Sequence, residues 1–102
     1  MTRVYAGKGG DSFLIRAVGH AGDVAACNYI TGVLYAFAGY AHYAAEERRG
    51  EILAFQVDKE DGSMLIRCTG DAGVEAAFDA AVIGLLQLEQ ARPEAIRLEY
   101  RE

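Results

Sequence analysis

A histidine and a cysteine stand seven positions apart in a stretch otherwise poor in reactive side chains: Gly19-His20-Ala21-Gly22-Asp23, then Val24-Ala25-Ala26-Cys27. A thiol near a helix N-terminus has its thiolate favoured, and a neighbouring imidazole can serve as its base. The glycine-flanked break falls between a predicted strand and a predicted helix, where backbone N–H groups can face an anion or a developing oxyanion. The chemistry this permits is nucleophilic acyl transfer, with Cys27 attacking and His20 moving the proton. The same residues also have a purely structural reading. Cys27 shares a helical stripe with Ile30, Leu34 and Phe37, which suits a small buried hydrophobe. With Asp23 as N-cap it lies past the first turn, where the helix dipole fades. His20 equally suits a capping or bridging role at a turn. Spacing alone leaves both readings open.

The other reactive side chains carry less. Cys68 alternates with Met64 and Ile66, the pattern of a core residue on a strand. His42 lies mid-helix beside Tyr43 and is expected at a surface or interface. Two Cys and two His contain no close-set ligand pair of the kind zinc sites use, so no metal is expected. Gly7-Lys8-Gly9-Gly10 lacks the spacing of a phosphate-binding P-loop. Glu46-Glu47-Arg48-Arg49 is expected to be a solvated helix end.

The elements that must position these residues follow from periodicity. Thr2 to Ala6 is a predicted strand, Gly7 to Asp11 a turn, and Ser12 to Val18 a second strand. Asp23 can cap a long helix to about Glu47, closed by Arg48-Arg49-Gly50. Leu53, Phe55 and Val57 alternate, as do Met64, Ile66 and Cys68, around the hairpin signal Lys59-Glu60-Asp61-Gly62. Asp71 caps a second helix to about Ala91 with the apolar stripe Val74, Phe78, Ala81, Leu85 and Leu88. Ile96, Leu98 and Tyr100 alternate in a last strand. The order β-β-α-β-β-α-β predicts a two-layer α+β fold, one mixed or antiparallel sheet packed with two helices. It forms a single domain over residues 1–102.

The long helix has two apolar stripes. Cys27, Ile30, Leu34, Phe37 and Ala41 form one; Tyr29, Val33, Ala36, Tyr40 and Tyr43 form the other. One face is thus left over once the helix covers its sheet. Either the hairpin covers it or a second copy does. Tyr and small residues favour the second copy, which predicts a homodimer through Tyr29, Val33, Ala36 and Tyr40.

The composition bounds the function classes. The chain has 102 residues, 52% of them hydrophobic, enough for one modest core. Ten Lys and Arg against fifteen Asp and Glu give a net charge of −5. That sum lacks the basic footprint of a nucleic-acid binder, so no nucleic-acid partner is expected. Two cysteines are too few for a disulfide scaffold. No basic segment followed by an apolar run opens the sequence, so no signal peptide is expected. Val24 to Ala45 reaches membrane-spanning length, but its Ala, Gly and Tyr content together with Asn28, Thr31 and His42 predicts a buried helix and no membrane partner. A reduced, cytoplasmic protein is the expectation.

Gly19-His20-Ala21, then Asp23-Val24-Ala25-Ala26-Cys27 with the Thr31 hydroxyl four positions on, resembles the ribosomal-processing cysteine protease (Prp) family. The resemblance runs over nearly the whole chain. It includes the opening strand, turn and second strand, and the tail with Phe78, Gly84-Leu85, Gln87 and Arg92-Pro93-Glu94. It implies His20 as base and Cys27 as nucleophile. Gly19, Ala21, Gly22, Asp23 and Thr31 would support the site or its substrate, with Thr31 standing where the family usually has Ser. It also implies a homodimeric endopeptidase that needs no cofactor and trims the N-terminal extension of a large-subunit ribosomal protein. The sequence departs from the family in a shorter His-to-Cys loop and in an Asp one position further from the Cys. The alternative on the same fold is a non-catalytic dimeric module that binds a peptide or a ribosomal partner.

Overall fold

The computed structural model describes all residues, Met1–Glu102. The chain runs β1 (Thr2–Gly9), β2 (Ser12–Val18), α1 (Val24–Glu46), β3 (Gly50–Asp58), β4 (Ser63–Gly70), α2 (Ala72–Ala91) and β5 (Ile96–Arg101). The strands form one five-stranded mixed sheet in the order β3-β4-β2-β1-β5. Only the β1–β5 pair is parallel. Both helices pack on one face of this sheet, so the fold has the expected two-layer α+β form.

Period-two alternation decides which side chains go under the helices. Val4 and Ala6 of β1, Phe13 and Ile15 of β2, Ile66 and Cys68 of β4, and Ile96 of β5 are all buried on the helix side. The helices answer with Ile30, Leu34 and Phe37 from α1 and Val74, Phe78 and Leu85 from α2. Phe78 sits where sheet, α1 and α2 meet. Its ring centroid lies 5.3 Å from that of Phe13 and 5.7 Å from that of Phe37, in tilted and edge-on arrangements that suit aromatic quadrupoles. Seven α1 side chains lie in this core, so the helix that reaches membrane-spanning length packs here as a core helix.

The structure corrects three local expectations. β1 continues through Gly7 and Gly9, and the reverse turn is confined to Gly10 and Asp11. Ladder pairing with β2 holds the glycines extended all the way to Gly9↔Ser12. Secondly, Gly50 does not end α1. The cap is Glu47, and Arg48 itself takes the left-handed conformation at φ +60°, while Gly50 opens β3. Thirdly, Arg49 is no solvated helix end. Its guanidinium bridges Glu47 and Asp71, donates to the Tyr40 hydroxyl, and lies over the Tyr40 and Tyr43 rings, tying α1 to the start of α2.

The second stripe of α1 meets α2 of the same chain. The Tyr29 hydroxyl donates to the Gly84 carbonyl at 2.8 Å, Val33 packs over Gly84, and Tyr40 reaches Gly73. Within the chain α2 thus half-buries Val33 and Tyr40, while Tyr29, Ala36 and Tyr43 remain exposed. The hairpin instead reaches the flank of α1, where Phe55 lies 6.5 Å from Tyr35 and 5.2 Å from His42 between ring centroids. His42 is exposed, and its Nδ1 lies 2.8 Å from the Ala38 carbonyl one turn back.

Candidate active site

The end of β2, the start of α1 and the tip of the β3–β4 hairpin enclose a cavity of about 380 Å³. His20, Cys27 and Thr31 all line it, together with Tyr35, Val57 and Lys59. The two residues that the sequence singles out as nucleophile and base are therefore brought to one cavity, with the Thr31 hydroxyl one helical turn beyond Cys27.

The approach to the site is built from the break after β2. Gly19 and Gly22 have φ of +95° and +77°, conformations that residues with a Cβ rarely adopt. This reversal leaves His20 exposed between them and turns Ala21 into the core. The buried Thr2 hydroxyl donates to the Gly19 carbonyl at 3.1 Å, pinning the turn to the start of β1. Gly19 lines the cavity; Ala21, Gly22 and Asp23 do not, and serve the turn and the helix start.

Asp23 is the N-cap of α1, its carboxylate accepting from the Ala26 N–H at 3.1 Å. The Arg92 guanidinium forms an ion pair with the same carboxylate. Arg92 first, and the Ala26 N–H after it, hold the Asp23 carboxyl below the usual carboxylate range. Since the Cys27 N–H already donates to the Asp23 carbonyl at 2.9 Å, the N–H groups of both Ala26 and Cys27 are taken. Any oxyanion donors at the helix start must come from elsewhere in the turn.

The hairpin tip contributes contacts that the sequence does not announce. The His20 Nε2 lies 3.3 Å from the Glu60 carbonyl oxygen. Gly62, at φ +64°, places its backbone against the imidazole, so close that a Cβ there would stand 2.6–2.9 Å from three ring atoms. The tip itself is held by Asp58, whose carboxylate accepts from the N–H groups of Glu60 and Asp61 at 3.0 and 3.2 Å. A histidine whose Nε2–H donates to a carbonyl keeps its lone pair on Nδ1. In that tautomer Nδ1 is the nitrogen able to accept a thiol proton. The signal Lys59-Glu60-Asp61-Gly62 marks a turn, but nothing in it says that the turn lands on a histidine forty residues earlier.

The two thiols differ in setting. Cys27 is half-buried at the cavity wall, whereas Cys68 is fully buried and its thiol is pushed up to about 11 by burial. Cys68 is a packing residue, as its alternation predicts.

No protein-family model matches the chain, and no curated protein matches it. Solved structures do. The essential ribosomal processing protease Prp of Staphylococcus aureus, in complex with a covalently linked product peptide, superposes with a TM-score of 0.77 at 20% identity, covering 98% of this chain and 99% of that one. The same protease in complex with a substrate peptide gives 0.72 at 19% identity over 98% and 99%. A protein from Streptococcus mutans gives 0.79 at 17% identity over 100% and 99%. The whole chain thus has the fold of these structures.

Proposed function

We propose that this chain, which shares the fold of the ribosomal processing protease Prp, is a cysteine endopeptidase acting through His20 and Cys27. The observation that carries the reading is the convergence of His20, Cys27 and Thr31 on one cavity walled by the hairpin. In the reaction, His20 takes the Cys27 proton and the sulfur attacks a peptide carbonyl carbon. The C–N bond then breaks as His20 returns the proton to the leaving amine. Water, deprotonated by the same imidazole, releases the acyl group from the sulfur. The Glu60 carbonyl and the Gly62 backbone hold the ring in place throughout. No step requires a metal or organic cofactor.

The substrate we propose is the N-terminal extension of a large-subunit ribosomal protein, met in the cytoplasm. The peptide complexes of the fold neighbour support a peptide ligand. We also propose a homodimer. Because α2 already half-buries Val33 and Tyr40 and holds the Tyr29 hydroxyl, a second copy would meet these residues only at their exposed margins. It would rest chiefly on Ala36 and on the uncharged outer face of α1 beside it, including Asn28, Gly32, Tyr35, Gly39 and Tyr43.

The test is to mix the protein with the host's unprocessed ribosomal protein and look for a shortened product by mass spectrometry. Cys27→Ser and His20→Ala run in parallel. Cleavage by the wild type alone supports the protease. Binding of the extension without cleavage would instead assign the chain to the non-catalytic module, a reading that the short Gly19–Gly22 connection favours.

A further inference from the structure

The face of the sheet away from the helices has no cover, and the strand register concentrates arginine on it. Arg3, Arg16, Arg67, Arg97 and Arg101 alternate with the buried residues of β1, β2, β4 and β5, so all five project to the open side, and all five are exposed. They are half of the ten Lys and Arg in the chain. None belongs to an ion pair; the paired cations are Lys8, Arg49 and Arg92, elsewhere in the fold. The acids on the same face are Glu99, beside Tyr5, Glu51 near one end of β3, and Asp58 at its other end, opposite Ser63; five arginines against three acids leave the face positive. A chain of net −5 therefore carries one positively charged face.

Four of these arginines form a line. Arg97 of β5 is the register partner of Arg3 of β1. Arg16 of β2 pairs with Tyr5, which puts it diagonal to Arg3. Arg67 of β4 pairs with Leu14, while Arg16 pairs with Leu65, which puts Arg67 diagonal to Arg16. Steps of about 5 Å between neighbouring strands and about 7–8 Å along the diagonals make an oblique stripe across four strands. Like charges set side by side are costly in a sheet, and Arg3 beside Arg97 is such a pair. An extended anion laid along the stripe removes that cost. The exposed Tyr5 ring flanks the stripe. Between Arg16 and Arg67 opens a groove of about 780 Å³, lined by Leu14 and Leu65 and, at its hairpin end, by Gln56, Asp58 and Ser63. Guanidinium forks suit phosphates, and an exposed aromatic beside a hollow of mixed leucine and polar lining suits unstacked bases and their edges. A row spread over four strands fits a repeating backbone better than a single carboxylate.

We propose that the open face of the sheet binds single-stranded RNA, its backbone following Arg97, Arg3, Arg16 and Arg67. This surface differs from the peptide cavity, which opens between α1 and the sheet; the two meet only at the β3–β4 hairpin, where Val57, Asp58, Ser63 and Met64 line both, while His20, Cys27 and Thr31 line the cavity alone.

The test uses the full chain and a fluorescein-labelled twelve-nucleotide oligouridylate, with anisotropy read at 50 and 200 mM NaCl. Four phosphate contacts predict a slope of log K against log salt of about −2.8, a loss of roughly 50-fold between these conditions. Arg16→Ser/Arg67→Ser should lower the slope to about −1.4, and Arg3→Ser/Arg97→Ser should do the same independently. Both pairs are exposed, so thermal melting should show intact folds. Arg48→Asn, which removes a cation from the turn after α1 while tolerating its left-handed conformation, should bind as the wild type does. Absence of binding at 50 mM salt overturns the proposal. So does equal weakening by Arg48→Asn, which would reduce the effect to overall charge. Oligoglutamate of equal length competing as strongly as RNA would assign the face to an acidic protein instead.

Discussion

Gly62→Ala tests whether the hairpin tip positions His20. Two costs arise at this site. An alanine at φ +64° pays the left-handed penalty of about 1–2 kcal/mol. Its Cβ would also stand 2.6 Å from His20 Cε1 and under 3 Å from both ring nitrogens, so the ring or the tip must move. Pushing the imidazole off its rotamer adds about 0.5–1.5 kcal/mol. Gly10→Ala is a matched control: φ there is +60°, and a Cβ meets nothing within 4 Å. The control carries the first cost alone, and any change in unfolded-chain entropy is common to both variants. Subtraction leaves about 1 kcal/mol at position 62, a further fall in Tm of roughly 4–8 °C for a domain of this size. The same displacement should lower kcat/KM for peptide cleavage by about 10²-fold, since misplacing a catalytic group by an ångström costs on that order. Gly10→Ala should leave cleavage unchanged. Thermal melts and cleavage assays on the pair are the measurement. If the two variants melt together and cleave alike, the tip does not hold the ring and the positioning argument fails.

Three further outcomes are expected. Iodoacetamide at neutral pH should label Cys27 far faster than Cys68, because Cys68 is fully buried with its thiol raised to about 11; His20→Ala should slow the Cys27 reaction, and equal labelling of the two thiols would remove the basis for the dyad. Asp23→Asn keeps an N-cap acceptor but loses the charge facing Arg92. The folded carboxyl titrates below its unfolded value, so its contribution is complete above about pH 4 and is lost as pH falls through the folded value; the gap in Tm between wild type and variant should therefore close on acidification, and a gap independent of pH would refute the pairing. Ala36→Glu should dissociate the homodimer in light scattering with little loss of Tm, because Ala36 is exposed in the single chain, whereas Val33→Glu should destabilise the fold itself by forcing a charge into the α1–α2 seam; a dimer untouched by Ala36→Glu would place the contact elsewhere.

Features set by neighbours along the chain are legible in the amino-acid sequence itself. The span of β2, the caps Asp23 and Asp71 and the buried stripe of α2 all depend on hydrogen bonds or side-chain periodicity within a few residues. That His20 and Cys27 can face one cavity is legible too, since a short turn and the opening of one helix join them. What tertiary structure alone decides involves partners brought close by the sheet order. Two apolar stripes on α1 say that two surfaces cover it; only the crossover that carries α2 alongside makes the second of them α2, through Tyr29 and Gly84. Arg92 reaches Asp23 across 69 positions, and the Glu60 carbonyl reaches His20 across 40. Charge follows the same logic. Net charge is a sum over the chain and argues against a polyanion, but alternation sends particular arginines to one face, and the order β3-β4-β2-β1-β5 sets residues from four strands in a row. A sum is blind to position, and register is fixed only when strands distant in sequence bury their apolar faces together.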